Sequence, residues 1–205
     1  MNYQTPVGNG GRVSLQCEAT LLGRSFSDSE TAYVDGTTIP NATITTRLSG
    51  LYSGGATPTL LAHIAVYESA GCYCQFRQAT LFGVPGRWPN ESYDGGSHVG
   101  LMQVPNGMVN AFDWMANTQA GSTIFQQKLA YVRNWVSPQR TSHPTLPDLT
   151  GTQYEDDALV FYGPYSVELQ HYYIPNSGYT GWILNPNSAH GQGYVLNVRS
   201  SVIPN

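Results

Sequence analysis

From Thr57 onward the apolar positions Leu60, Leu61, Ile64 and Ala65 recur at helical spacing. Thr57 suits an N-cap, Pro58 the first helical position and Gly71 a C-terminal stop, so a helix is predicted between them. At about 100° per residue, Glu68 projects between Ile64 and Ala65 and in line with Leu61. A carboxylate on that apolar face sits near the negative end of the helix dipole. Burial and the dipole both favour its protonated form, the state required of a general acid. A buried, paired structural carboxylate would show the same pattern.

Other stretches keep a helical period less cleanly. Phe125, Lys128, Leu129, Val132, Trp135 and Val136 predict a helix over 121–136, ended by Pro138. Glu155-Asp156-Asp157 suits the first turn of a helix over 155–162. A last helix is predicted over 194–202, and 163–190, rich in Gly, Pro, Asn and Tyr, reads as a long surface excursion. Nearer the N-terminus the period is two. Arg12 to Cys17 alternates as a half-buried strand, Asp35-Gly36 marks a turn, and Thr37 to Thr46 favours extended structure, with Pro40 confining it to an edge. The fold class expected is mainly α (α+β). A partly stranded N-terminal extension over 1–55 precedes a helical domain over 56–205.

Composition narrows the partners. Only 11% of the 205 residues are charged, against about 25% in an average soluble domain, and the surface residues are largely uncharged and polar. Such a surface suits a neutral hydroxyl- and amide-bearing ligand such as a glycan. A net charge of −4 argues against nucleic acid, which needs a basic stripe. No apolar run approaches the roughly 20 residues of a membrane span, so no membrane insertion is expected. Met1-Asn2-Tyr3-Gln4 begins neither a basic nor an apolar leader, so export without a cleavable signal, or excision from a longer protein, is expected. The five histidines show no ligand spacing, and neither a metal nor another cofactor is expected. For Cys17, Cys72 and Cys74, a bridge from Cys17 to one of the others and three reduced, buried thiols both remain open.

The most specific string is Gly100-Leu101-Met102-Gln103-Val104. Together with Glu68-Ser69 it resembles the goose-type lysozymes and soluble lytic transglycosylases. Ala120-Gly121 looks like their second helix start, Ala158 to Gly163 like their Ala-Tyr-Asn segment with Tyr162 as the tyrosine, and Tyr194-Val195 with Val198 like their closing helix. The resemblance covers about 57–202 and departs at Gly163, where those families carry Asn. It implies a lysozyme-like fold with Glu68 as catalytic acid. It also implies Ser69, Gly100, Leu101, Met102, Gln103, Tyr162 and Tyr194 as the sugar-binding set.

Asp94 precedes Gly100 at the offset of an Asp in goose-type lysozymes, which implies a second carboxylate that activates water, with Glu91 as the alternative base. A lytic transglycosylase would need Glu68 alone, and an ordinary Asp-Gly turn would explain Asp94 without function. Trp88 and Tyr93 are candidates to stack on a sugar, and His98 to line the cleft. The stretch from Arg87 to Val104 also resembles the C-terminal lysozyme domain of TseP-like type VI secretion effectors. That implies an antibacterial muramidase acting on peptidoglycan strands in a target cell's periplasm or wall, with a cognate immunity protein as partner. A phage lysin and a glycan-binding module without turnover are the competing expectations.

Overall fold

A computed structural model describes residues 11–81, 83–163 and 170–205. Five helices and four antiparallel strand pairs make up an α+β architecture among these residues. The chain opens with strands β1 (Gly11–Leu21) and β2 (Arg24–Val34), paired from Gly11↔Val34 to Leu21↔Arg24. Leu22 and Gly23 turn the hairpin with φ of 50° and 73°, the left-handed geometry that matches strand twist. The strand expected to be half-buried over 12–17 is instead exposed on both faces, because nothing among the described residues packs on the hairpin there. The described side chains of both strands stay exposed as far as Ala32, Leu15 and Cys17 included. Tyr33 anchors the base, its ring edge-on to Trp88 at 5.9 Å.

The Thr-rich segment expected to be extended is instead helical in α1 (Asn41–Leu51). Pro40 stands just ahead of the helix, where a missing N–H costs nothing, and its carbonyl accepts from Thr43 N–H at 3.0 Å. Ile44 and Leu48, one turn apart, are buried with Ile39 in the same core as everything that follows. The hydrophobic body therefore reaches back across the boundary drawn at residue 55.

Helix α2 (Leu60–Glu68) is the centre of that body, with Leu60, Leu61, Ala62, Ile64, Ala65 and Val66 all buried. A helix apolar on nearly all sides has to be surrounded. α2 packs against α1 and α5 (Ala189–Ser200), while α3 (Trp114–Ser142) packs against α4 (Gly151–Tyr162).

Each of the later helices departs from its predicted limits for a local reason. α3 begins at Trp114, because Asp113 caps it by accepting from Ala116 N–H at 2.9 Å. Gly121 is thus interior to α3 and opens no helix. A Cβ there would lie 2.4 Å from Met102 Cβ, so glycine is what admits the loop below. α3 also runs through Pro138 to Ser142. The carbonyl that Pro138 leaves without a helical partner belongs to Asn134, on the exposed side where water reaches it.

α4 starts a turn earlier than expected, with a capping box between Thr150 and Gln153. Its acidic residues are interior, not an N-terminal turn. Glu155 is buried and accepts from Tyr52, from Thr57 N–H and from Arg199 of α5. α5 starts five residues before the predicted position, and Gly191 lets it approach α4, since a Cβ there would meet Val160 at 2.7 Å.

Three short strand pairs complete the fold: β3 (Phe76–Leu81) with β4 (Val84–Pro89), β5 (His98–Val99) with β6 (Val104–Pro105), and β7 (Tyr173–Pro175) with β8 (Trp182–Leu184). The last pair occupies much of the expected surface excursion; residues 164–169 of that segment lie outside the described residues. It is tied down by His171, whose Nδ1 lies 2.7 Å from buried Asp157 and whose ring stacks on Trp135 at 3.7 Å. Cys72 and Cys74 form a disulfide, and Cys17 is free and exposed on β1, so neither expected cysteine arrangement holds. Tyr73, at φ 52°, folds the chain back and brings the two Cα atoms to 5.1 Å.

If α1 belongs to the same cooperative unit, Leu48→Ala will destabilise the whole body by about 2–5 kcal/mol in a single chemical-denaturation transition. A separate, earlier transition for this variant would show the boundary at 55 to be real.

Candidate active site

α2 ends one residue after Tyr67, and its last residue is Glu68. The chain then reverses through Ala70 and Gly71, at φ 60° and 83°, with Gly71 N–H donating to the Val66 carbonyl at 2.7 Å. This termination leaves Glu68 at the edge of the core, lining a cleft of about 680 Å³, within the usual range of small-ligand sites. Burial raises its carboxyl to about 7 from an ordinary 4.5, and a hydrogen bond from the Tyr194 hydroxyl partly offsets that rise. Tyr194 itself is buried, and burial together with the adjoining carboxylate pushes its hydroxyl well above the usual range, so it remains a donor. Tyr67 braces it edge-on at 5.2 Å.

Gly163, where the resembled families carry Asn, leaves the room that Tyr194 occupies. A Cβ at 163 would lie 2.9 Å from the Tyr194 ring.

The cleft floor is the loop 100–103. Gly100, at φ 83°, has the Asn117 carboxamide where a Cβ would be, 2.3 Å away. Asn117 of α3 is fully buried; it accepts from Met102 N–H at 2.9 Å and donates to the Val99 carbonyl at 2.8 Å. Gln75, also buried, accepts from Leu101 N–H at 3.1 Å and donates to the Ala111 carbonyl at 2.7 Å. Tyr162 donates to the Met102 carbonyl at 2.8 Å, and Gln103 Nε2 to the carbonyls of Gly100 and Asn90 at 2.8 and 3.1 Å.

Asp94 lines the same cleft from an exposed turn between Ser92 and Ser97. Both hydroxyls donate to its carboxylate, and Ser97 N–H adds a bond at 3.3 Å. The Ser92 hydroxyl first, then that of Ser97, hold the Asp94 carboxyl below the usual range. Ser97 Oγ is also 2.7 Å from His98 Nδ1, which extends the chain of contacts by one group.

Of the residues expected at the site, Glu68, Asp94, Glu91, Tyr93, His98, Gln103 and Tyr162 line one cleft. Ser69, Leu101 and Met102 have no exposed surface and Gly100 is buried, so none offers a side chain to a ligand. Ser69 instead donates back to the Ala65 carbonyl at 2.6 Å. Tyr194 acts on Glu68 from behind, and Trp88 is buried against Phe112 and Tyr33, away from the cleft. Gln75, Asn117, Ser92, Ser97 and Lys128 were not singled out from the sequence. Asn117 carried a signal: it is a polar residue in the inward stripe Trp114, Asn117, Gly121, Phe125.

Among the described residues no group of three or more His, Cys, Asp or Glu stands placed to hold a metal ion. No helix among them is long and apolar enough to cross a membrane.

A raised carboxyl pKa makes stability depend on pH. The native state favours protonated Glu68, so its contribution is complete below pH 4.5 and is lost as pH rises through about 7. The loss amounts to at most about 3 kcal/mol. Glu68→Gln is therefore expected to melt above the wild type at pH 8 and level with it at pH 4; a gap independent of pH would refute the raised value. Tyr194→Phe should move the Glu68 titration, followed by carboxyl NMR, to higher pH.

Comparison with family models, curated proteins and solved structures finds no match to this chain.

Proposed function

We propose that this chain is a peptidoglycan hydrolase, a muramidase that cleaves the β-1,4 bond between N-acetylmuramic acid and N-acetylglucosamine. The observation that carries the reading is a pair of carboxyl groups in one cleft whose proton affinities are driven apart. Glu68 is held near 7 by burial, and Asp94 is held low by two serine hydroxyls. A site so arranged has an acid and a base at the same pH. Protonated Glu68 gives its proton to the leaving glycosidic oxygen, and Asp94, ionised and open to solvent, orients the water that attacks the anomeric carbon. Gln103 and Tyr162 spend their side-chain donors on the floor, so their part is to hold its shape beneath the sugar. The lysozyme-like character of the fold belongs to this proposal, as do the antibacterial setting, the periplasmic site of action and an immunity partner. These rest on the resemblance of Glu68-Ser69, the 100–104 string and the 87–104 stretch.

One feature favours a second reading. The hydroxyls that hold Asp94 low also weaken it as a base, and it lies exposed. A lytic transglycosylase would use Glu68 as both acid and base, with the sugar's own C6 hydroxyl as nucleophile, and would not need Asp94.

Mass spectrometry of muropeptides released from purified peptidoglycan separates the readings. Hydrated reducing ends are expected, with a loss of 10²-fold or more in both Glu68→Gln and Asp94→Asn. Anhydro ends with Asp94→Asn fully active would establish the transglycosylase. No release by the wild type would leave a glycan-binding module. The rate of the wild type should fall as pH rises past about 7, where Glu68 gives up its proton.

A further inference from the structure

The cleft is lined by three acidic residues, of which Glu68 holds its proton and Glu91 and Asp94 carry charge, in a chain of net charge −4. An anionic substrate entering it meets repulsion unless a cation offsets it. Lys128 is the lysine or arginine among the described lining residues. It stands on α3 one turn beyond Ile124, which also lines the cleft, and between Phe125 and Leu129, which are buried.

Its side chain is half-buried, yet its ammonium makes no ion pair or hydrogen bond with any described residue. Arginine 199, by contrast, is engaged by both Glu155 and Asp156. An ammonium without a protein partner is held by water alone, and an incoming carboxylate in the cleft would give it a charge-assisted hydrogen bond.

We propose that Lys128 receives a carboxylate carried by the muramyl substituent of the substrate, and so selects an acidic glycan over neutral chitin. The inference rests on the muramidase reading and names what that site distinguishes. The carboxylate comes either from the lactyl group of a denuded strand or from the peptide of a substituted one. The ammonium is a compact point charge on a flexible stem, so it can meet either.

The test measures binding by calorimetry in the Glu68→Gln protein, which cannot turn the ligand over. Three oligosaccharides of equal length are compared: neutral N-acetylglucosamine, a denuded alternating strand, and a peptide-bearing strand. Preference for an acidic strand over the neutral one is expected. Adding Lys128→Met should lower that preference about three- to tenfold, Lys128→Arg should keep most of it, and added salt should weaken it. A preference already present for the denuded strand assigns the lactyl carboxylate; one confined to the peptide-bearing strand assigns the peptide. An unchanged preference in Lys128→Met, and likewise in Lys128→Gln as a second neutral variant, overturns the proposal while leaving the muramidase reading intact. Failure of all three strands to bind overturns both.

Discussion

The loop 100–103 crosses the interior with no helix or sheet to satisfy its backbone, and the rest of the site depends on how that need is met. Buried peptide groups left unpaired would each cost on the order of 1–3 kcal/mol. Asn117 and Gln75 supply the partners from two directions, one from α3 and one from the chain leading into β3. Their amides suit the task because each can accept from an N–H and donate to a carbonyl at once. Among the described residues no buried side-chain nitrogen or oxygen is left without a partner. Glycine at 100 and 121 follows from the same demand, since one makes space for the Asn117 amide and the other for Met102.

The floor in turn fixes what surrounds Glu68. Tyr162 reaches from α4 to the Met102 carbonyl, and α5 brings Tyr194 against the carboxyl from behind. Two opposing influences meet there. Burial among apolar neighbours raises the carboxyl, and the tyrosine hydroxyl restrains the rise, leaving it near 7. Asp94 has the reverse surroundings, with hydroxyl donors and open solvent. Two residues of the same chemistry thus come to opposite protonation behaviour through packing alone.

Much of this was legible before the structure. Helix α2 and the inward aim of Glu68 followed from apolar spacing and stop signals. The alternation over 12–17 foretold the strand β1 but not its surroundings, since Leu15 and Cys17, expected on a buried face, are exposed. What was missed shares a cause: local preference gave way to burial elsewhere in the chain. Threonine-rich 41–46 is helical because Ile44 and Leu48 have a core to enter. Glu155 and Asp157 read as a solvated first turn, yet they are buried because Arg199, Tyr52 and His171 arrive from distant segments to pair with them. The β3–β4 hairpin carries prolines at 85 and 89 that obscure its period. Lys128 was visible within the apolar stripe 125–136, but without a view of the cleft it reads as a lysine at the margin of a helix face.

The hairpin β1–β2 stands under a different rule from the body. Its side chains from Ser14 to Ala32 contribute nothing to the core, with Leu15, Leu21 and Phe26 all more than half exposed. As far as folding stability is concerned, sequence there is free to drift so long as strand pairing and the Leu22–Gly23 turn survive, whereas Asn117 or Gly121 has almost no latitude. Packing thus constrains the body and leaves the arm free of it. Any side chain held fixed along that arm in related chains would owe its retention to something the arm touches beyond this chain.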